Sequence, residues 1–192
     1  MVRDLARLVL VLSVICMASA LTLAAVYDLT EEPIAHQRRL MMLRSLKMVM
    51  PPFDNEPDQD TKVVQVGGEK GEVTFFQGMS GGEVVGVAMI AITKNGWSGD
   101  IDVMVGFNPQ GDIQGIRILR HLETPGLGDK IAKPKFTDLF KGRNLENTNW
   151  LVKKDGGDID QITGATISPR AVVEAVKDGL ETFKKHYLGE SS

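Results

Sequence analysis

Glu83-Val84-Val85-Gly86-Val87-Ala88-Met89-Ile90-Ala91-Ile92-Thr93 is the stretch that decides the fold. Val84, Val85, Val87, Met89, Ile90 and Ile92 make it apolar almost without interruption. An extended segment of that kind is buried on both faces and belongs in the middle of a sheet. Around it lie four more Val- and Ile-rich segments, over 62–66, 72–77, 100–107 and 112–120, which also read as strands. Gly-Gly, Asn95-Gly96, Ser98-Gly99 and Pro109-Gln110-Gly111 separate the five. Asn95-Gly96 and Asn108-Pro109-Gln110-Gly111 are hairpin signals. Connections this short predict an antiparallel meander.

C-terminal to the last strand the apolar period lengthens. Residues 130–140 read as a short helix or two turns broken at Pro134, and 149–153 as a short strand. Ser168-Pro169 opens a long helix, with Ser168 expected at the N-cap and Pro169 at N1. Val172, Val176, Leu180, Phe183 and Tyr187 then form one apolar stripe. Lys184, Lys185 and His186 sit near the negative end of the helix dipole. The fold class is α+β, a twisted antiparallel sheet packed with helices behind an N-terminal transmembrane helix.

That transmembrane helix is read from residues 8–26, which carry no charge and are mostly Leu, Val, Ile and Ala. At ~1.5 Å per residue the run nearly matches a hydrocarbon core of ~30 Å. Arg3 and Arg7 precede it and Asp28, Glu31 and Glu32 follow it, so the N-terminus is expected in the cytoplasm and the rest outside. Ala18-Ser19-Ala20 would suit signal-peptide cleavage, but the apolar run continues to Val26 and favours an uncleaved, single-pass anchor. Thr30 is expected to cap a second helix running to Met50, ended by Pro51-Pro52. An acidic, proline-containing linker over 54–60 follows. The expected division is 1–29 for the cytoplasmic N-terminus and anchor, 30–59 for the juxtamembrane helix and linker, and 60–192 for the exported domain.

Composition narrows the function. The single cysteine, Cys16, lies inside the apolar run. A disulfide framework, a four-cysteine zinc site and a self-contained iron–sulfur cluster are thereby excluded. Three scattered histidines do not build a metal or haem site. A net charge of −3 gives no support for nucleic-acid binding.

Two segments carry more than packing requires. His121-Leu122-Glu123-Thr124-Pro125-Gly126-Leu127-Gly128 directly follows an apolar strand. Its glycines allow close backbone approach by a ligand, and Leu127 offers an apolar surface to a planar ring. An ordinary turn would also account for it, and His121 alone is not a ligand signal. Asp160-Gln161-Ile162-Thr163-Gly164-Ala165-Thr166 places small residues and hydroxyls just ahead of a helix N-terminus, where free N–H groups attract anions. No Gly-Lys-Ser/Thr follows, so this is not a P-loop.

Thr163-Gly164-Ala165-Thr166, with Asp160 three residues ahead, resembles the D-x-x-[ST]-G-A-T sequence of covalently flavinylated FMN-binding domains. The segment from Glu123 to Gly128 is similar to that family's second signature. Anchor, motif order, spacing and length together resemble the G-subunit family of the Rnf electron-transport complex. The related C-subunit family of the sodium-pumping NADH:quinone reductase shares both motifs but is usually longer.

The resemblance implies FMN held through a phosphoester on Thr166, attached by a flavin transferase that uses FAD. Thr163, Gly164 and Ala165 would shape the phosphate turn. Glu123, Thr124, Gly126, Leu127 and Gly128 would contact the flavin. Trp97, at a turn between strands, either packs on the ring or belongs to a hairpin-end core. The implied role is electron transfer within an ion-translocating ferredoxin:NAD oxidoreductase complex in the bacterial inner membrane. The domain would face the periplasm, the other subunits would be its partners, and the chain would not be a catalyst on its own. An FMN subunit of the related quinone reductase and a non-redox assembly or sensor module are the alternatives.

Overall fold

The computed structural model describes residues 1–67 and 71–189. The turn expected between 66 and 72, and the last residues of the expected domain, 190–192, lie partly or wholly outside the described residues. The chain divides into two compact units, Met1–Met42 and Leu43–Ser192.

The first unit is helical. It belongs to α1, Val2–Val49, whose apolar part is long enough to cross a membrane and is exposed throughout. This is consistent with a single-pass membrane anchor. No second helix starts at Thr30. Its hydroxyl instead donates back to the Val26 carbonyl at 2.8 Å, and Pro33 lies inside the helix. A threonine that bonds the carbonyl four residues earlier satisfies its hydroxyl within a continuing helix.

The described residues of the second unit form five antiparallel strands in chain order, β1 (Thr61–Gln65), β2 (Glu72–Ser80), β3 (Glu83–Thr93), β4 (Ile101–Phe107) and β5 (Ile113–Arg120). The meander and the central place of β3 agree with the sequence. One face of β3 and β4 carries Val87, Met89 and Ala91 paired with Phe107, Val105 and Val103. One-turn helix α2 (Pro134–Thr137) lies between two 3-10 turns, at Gly128–Ala132 and Asp138–Phe140, in the chain that follows β5. The predicted break at Pro134 lies where α2 begins. Helix α3 (Ile167–Thr182), continued by a π-helical turn over Phe183–Leu188, covers the β3–β4 face. Four residues of its predicted stripe, Val172, Val176, Leu180 and Phe183, are at 0% exposure, the fifth, Tyr187, is half-buried, and Phe183 stacks on Phe107 at 4.4 Å. Residues 149–153 do not form a strand. They contribute one isolated parallel bridge, Val152 to Ile159, before a 3-10 turn at Lys153–Asp155.

The opposite face of the sheet has an arrangement the sequence did not announce. Gly78 pairs with Gly86, and Gly106 pairs with Gly115. The chain from Met48 to Phe53 lies across these four glycines. A Cβ on Gly106 would stand 2.0 Å from the Val49 carbonyl oxygen, and one on Gly86 would stand 2.8 Å from Pro51 Cδ. Gly78 and Gly115 would meet Phe53 and the Met48 carbonyl at 3.3 Å. The glycines form a track in which a backbone strap beds directly on the sheet, with Leu46 and Val49 buried at its start. This second cover buries Gly86 and Ala88 on that face of β3, while Ile90 is half-buried and Ile92, at 62% exposure, is open. The expected linker after the strap is also tied down: the Asp54 N–H donates to the Met79 carbonyl, and Asn55 bonds both Gln77 and Met79.

The β4–β5 turn follows its sequence. Gly111 has φ +93°, and its N–H donates to the Asn108 carbonyl. The Asp112 carboxylate accepts from Asn144 Nδ2 at 2.7 Å and from Asn108 Nδ2 at 3.0 Å. These amide donors hold the Asp112 carboxyl below its ordinary pKa, aided by the Lys184 charge and opposed by burial. A depressed carboxyl stabilises the fold above its unfolded pKa of about 3.9 and stops doing so as pH falls through its folded value. Asp112→Asn is therefore expected to lower the thermal midpoint at pH 7 and to flatten the loss of stability below about pH 4. Parallel acid melts of the two proteins would contradict this.

Candidate functional site

Three segments converge at one end of the sheet: the β3–β4 connection, the loop leaving β5 and the entry to α3. Asn95-Gly96 does not make a two-residue hairpin. Such a turn of the I′ type needs positive φ at both residues, and among the described residues no non-glycine has it. The Asn95 amide instead reaches Glu174 of α3 at 2.9 Å. Gly96 is spent on space. A Cβ there would lie 2.2 Å from the Gly99 carbonyl oxygen and 2.8 Å from Glu123 Oε1.

The loop after β5 turns at Thr124-Pro125-Gly126-Leu127. The Leu127 N–H donates to the Thr124 carbonyl, and Gly126 has φ +76° at the third position. Proline second and a left-handed glycine third are the requirements of a type II turn. The α3 entry repeats the device. The Ala165 N–H donates to the Ile162 carbonyl at 3.0 Å, with Gly164 at φ +81° in the third position. The two turns are neighbours, since a Cβ on Gly164 would sit 3.5 Å from Leu127 Cδ2.

Thr166 is the N-cap residue of α3, in helical conformation, and among the described residues it makes no side-chain capping bond. Ser168 is not the cap expected from the sequence. Its hydroxyl donates to Glu123 Oε2 at 2.7 Å, inside the protein. The first N–H groups of α3 lack intrahelical acceptors and sit at the positive end of the dipole. Thr163 and Gly164 are exposed, and Ala165 and Thr166 are half-buried.

Leu127 and Thr124 are exposed as well, together with Leu122, Ile167 and Trp97. Trp97 is 68% exposed, so it is no part of a core. Gly128 and Glu123 lie beneath this surface. Glu123 is 4% exposed, and its Oε1 also accepts from the Ser98 N–H at 3.4 Å. A Cβ on Gly128 would approach Glu123 Oε2 to 2.6 Å and Ser168 Oγ to 2.7 Å. The Glu123 N–H donates to His121 Nδ1, a structural use of that histidine. Ser168 is the functional candidate that the sequence missed, because its place ahead of a proline reads equally well as a cap.

The residues suit FMN by their donors and surfaces. Uncapped N–H groups and a threonine hydroxyl without capping duty fit a phosphate, while Leu122, Leu127 and Trp97 offer apolar surface for a ring. Asp129 Oδ1 is buried without a hydrogen-bond partner among the described residues, an acceptor that a bound group's N–H could satisfy. No cluster of His, Cys, Asp or Glu able to hold a metal occurs among the described residues.

Behind the site, Arg170 in the first turn of α3 holds Asp155 through two hydrogen bonds of 2.6 Å, and Lys153 pairs with Asp160 at 2.8 Å. The Arg170 guanidinium keeps the Asp155 carboxyl below its ordinary pKa. The pair is open to solvent, where water and salt screen its attraction. Arg170→Ala is therefore expected to leave the thermal midpoint nearly unchanged. A clear drop in thermal melting would contradict that.

The FMN-binding domain family matches residues 96–181, a span that runs from Gly96 in the β3–β4 connection through the loop leaving β5 and the entry to α3. The G subunit of the ion-translocating oxidoreductase complex of Aliivibrio fischeri is 39% identical over 187 residues, covering 92% of this chain and 89% of the relative. The corresponding protein of Cereibacter sphaeroides is 39% identical over 184 residues, covering 92% and 83%. Among solved structures, the C subunit of the Na(+)-translocating NADH-quinone reductase of Parabacteroides distasonis superposes with a TM-score of 0.57 at 20% identity. That match covers 81% of this chain and 93% of the other and speaks to the fold.

Proposed function

The chain belongs to the G-subunit family of ion-translocating oxidoreductase complexes, and from that premise we propose that it is the complex's membrane-anchored, FMN-carrying electron-transfer subunit. The other subunits of the complex are its partners. FMN supplies chemistry this chain lacks, since it takes up one or two electrons reversibly. The observation that carries this assignment is the pair of glycine turns set side by side against the uncapped N-terminus of α3.

Thr166 is the attachment point in this proposal. Its hydroxyl is free of capping duty and stands where the helix dipole favours a phosphate. Attachment would exchange the Thr166 Oγ1 proton for a bond to the phosphorus of the FMN half of FAD, with the phosphoanhydride bond broken and AMP as the leaving group. A separate flavin transferase carries that step, so Thr166 is a modified residue and not a nucleophile of this protein's own catalysis. Thr163, Gly164 and Ala165 shape the phosphate turn. Thr124, Gly126, Leu127 and Trp97 lie on the ring side, and Glu123 and Gly128 support them from beneath. A tether of this kind keeps the cofactor from being lost outside the cytoplasm.

In the same reading the N-terminus lies in the cytoplasm and residues 60–192 lie on the extracytoplasmic side of the inner membrane, a sidedness supported by the charges that flank the span. The test is a reductive titration of the full-length protein purified in detergent. Visible flavin absorbance that bleaches with a chemical reductant and returns on reoxidation is expected. A colourless protein from cells that flavinylate a control substrate would contradict the proposal.

A further inference from the structure

Glu123 and Ser168 have no part in the assignment above beyond support, yet their geometry is specific. They lie 45 residues apart in sequence and share a 2.7 Å hydrogen bond, at 4% and 1% exposure. The carboxylate sits in a space that two glycines from two different loops leave open. Side chains at Gly96 or Gly128 would each come within 2.8 Å of it. Its second oxygen accepts the Ser98 N–H, beside Trp97. One buried carboxylate therefore joins the β3–β4 connection, the loop leaving β5 and the first turn of α3. The residues on either side of these joints, Leu122, Thr124, Trp97 and Ile167, are exposed, while the joints are not. The buried carboxyl is satisfied without water, because each of its oxygens accepts a hydrogen bond, one from Ser168 and one from the Ser98 N–H.

We propose that the Glu123–Ser168 pair is a latch that sets the ring-side loops in register with Thr166, a positioning role exerted wholly from beneath the site. It rests on the assignment of Thr166 as the point of FMN attachment. Because the latch works by geometry, a neutral glutamine at 123 can keep it. Its carbonyl accepts the Ser98 N–H and its amide donates to Ser168 Oγ once the hydroxyl rotates. Ser168→Ala removes one half of the joint. Gly128→Ala forces a methyl group between the two partners.

The test uses full-length wild type, Ser168→Ala, Gly128→Ala and Glu123→Gln, each produced with a flavin transferase. In-gel fluorescence after denaturation reports attachment, and visible circular dichroism of the folded protein reports how firmly the ring is seated. Wild type and Glu123→Gln are expected to be labelled and to share one visible dichroism spectrum. Ser168→Ala and Gly128→Ala are expected to be labelled yet to lose more than about half of that signal, as a ring with an unfixed orientation does. Labelled Ser168→Ala and Gly128→Ala with wild-type spectra would overturn the latch and leave the flavin assignment standing. A Glu123→Gln protein that alone lost the signal would overturn it in favour of charge. A dark wild type would overturn the assignment of Thr166, and the latch with it.

Discussion

Thr166→Ala protein, produced beside a flavin transferase, gives a dark band in a denaturing gel where the wild type fluoresces. The effect is a complete loss, because the proposed ester oxygen is Thr166 Oγ1 and its removal leaves the phosphate without a tether. Structure is not the cause. Thr166 makes no side-chain cap, so removing its hydroxyl forfeits no such bond, and the unlabelled domain loses no more than about 0.5 kcal/mol in stability. The helix N-terminus and the Gly164 turn remain, so loosely held FMN is recovered before denaturation and lost after it. Thr166→Ser, which keeps a hydroxyl at the same place, restores the band. A fluorescent Thr166→Ala band would contradict the account.

Gly106→Ala has the second largest effect, and it falls on the fold. The added methyl would lie 2.0 Å from the Val49 carbonyl oxygen and 2.9 Å from Val49 Cβ, both in the strap. A backbone carbonyl cannot step aside as a flexible side chain can. The strap must lift, and Leu46, Val49 and Met50, each at 6% exposure or less, lose their seat. Overpacking of this severity costs about 3 kcal/mol, or about 10 °C in thermal midpoint for a unit of this size. Gly126→Ala is the contrast. A Cβ there meets nothing within 4 Å, so the cost is limited to forcing φ +76° on an alanine, about 1 kcal/mol. Equal melting of Gly106→Ala and wild type, by far-ultraviolet circular dichroism, would show that the strap is not bedded on the sheet.

The contrast between these glycines also marks how far the sequence could be read. β1 to β5 and their order were legible because strand composition and short connections are local properties. The type II turns at Pro125-Gly126 and at Gly164 sit inside motifs that stood out for the same reason. The glycine track was not legible. Gly78, Gly86, Gly106 and Gly115 are scattered over four strands, and only the strand register aligns them beneath Met48–Phe53. Glu123 and Ser168 were hidden in the same way. A glutamate next to an exposed loop reads as a ligand contact, and a serine before a proline reads as a cap. Only the tertiary fold turns them toward each other. Asn95-Gly96 misled because its local preference for a tight hairpin yields to a longer-range need, the Asn95 bond to Glu174 and the space kept for Glu123.

Peptide mapping by mass spectrometry on full-length protein extracted from flavinylating cells tests the central claim most directly. The predicted result is a single modified peptide spanning Thr163 to Ser168, heavier by FMN less one water, with the added mass on Thr166. An unmodified peptide, or the same mass on any other residue, would contradict it.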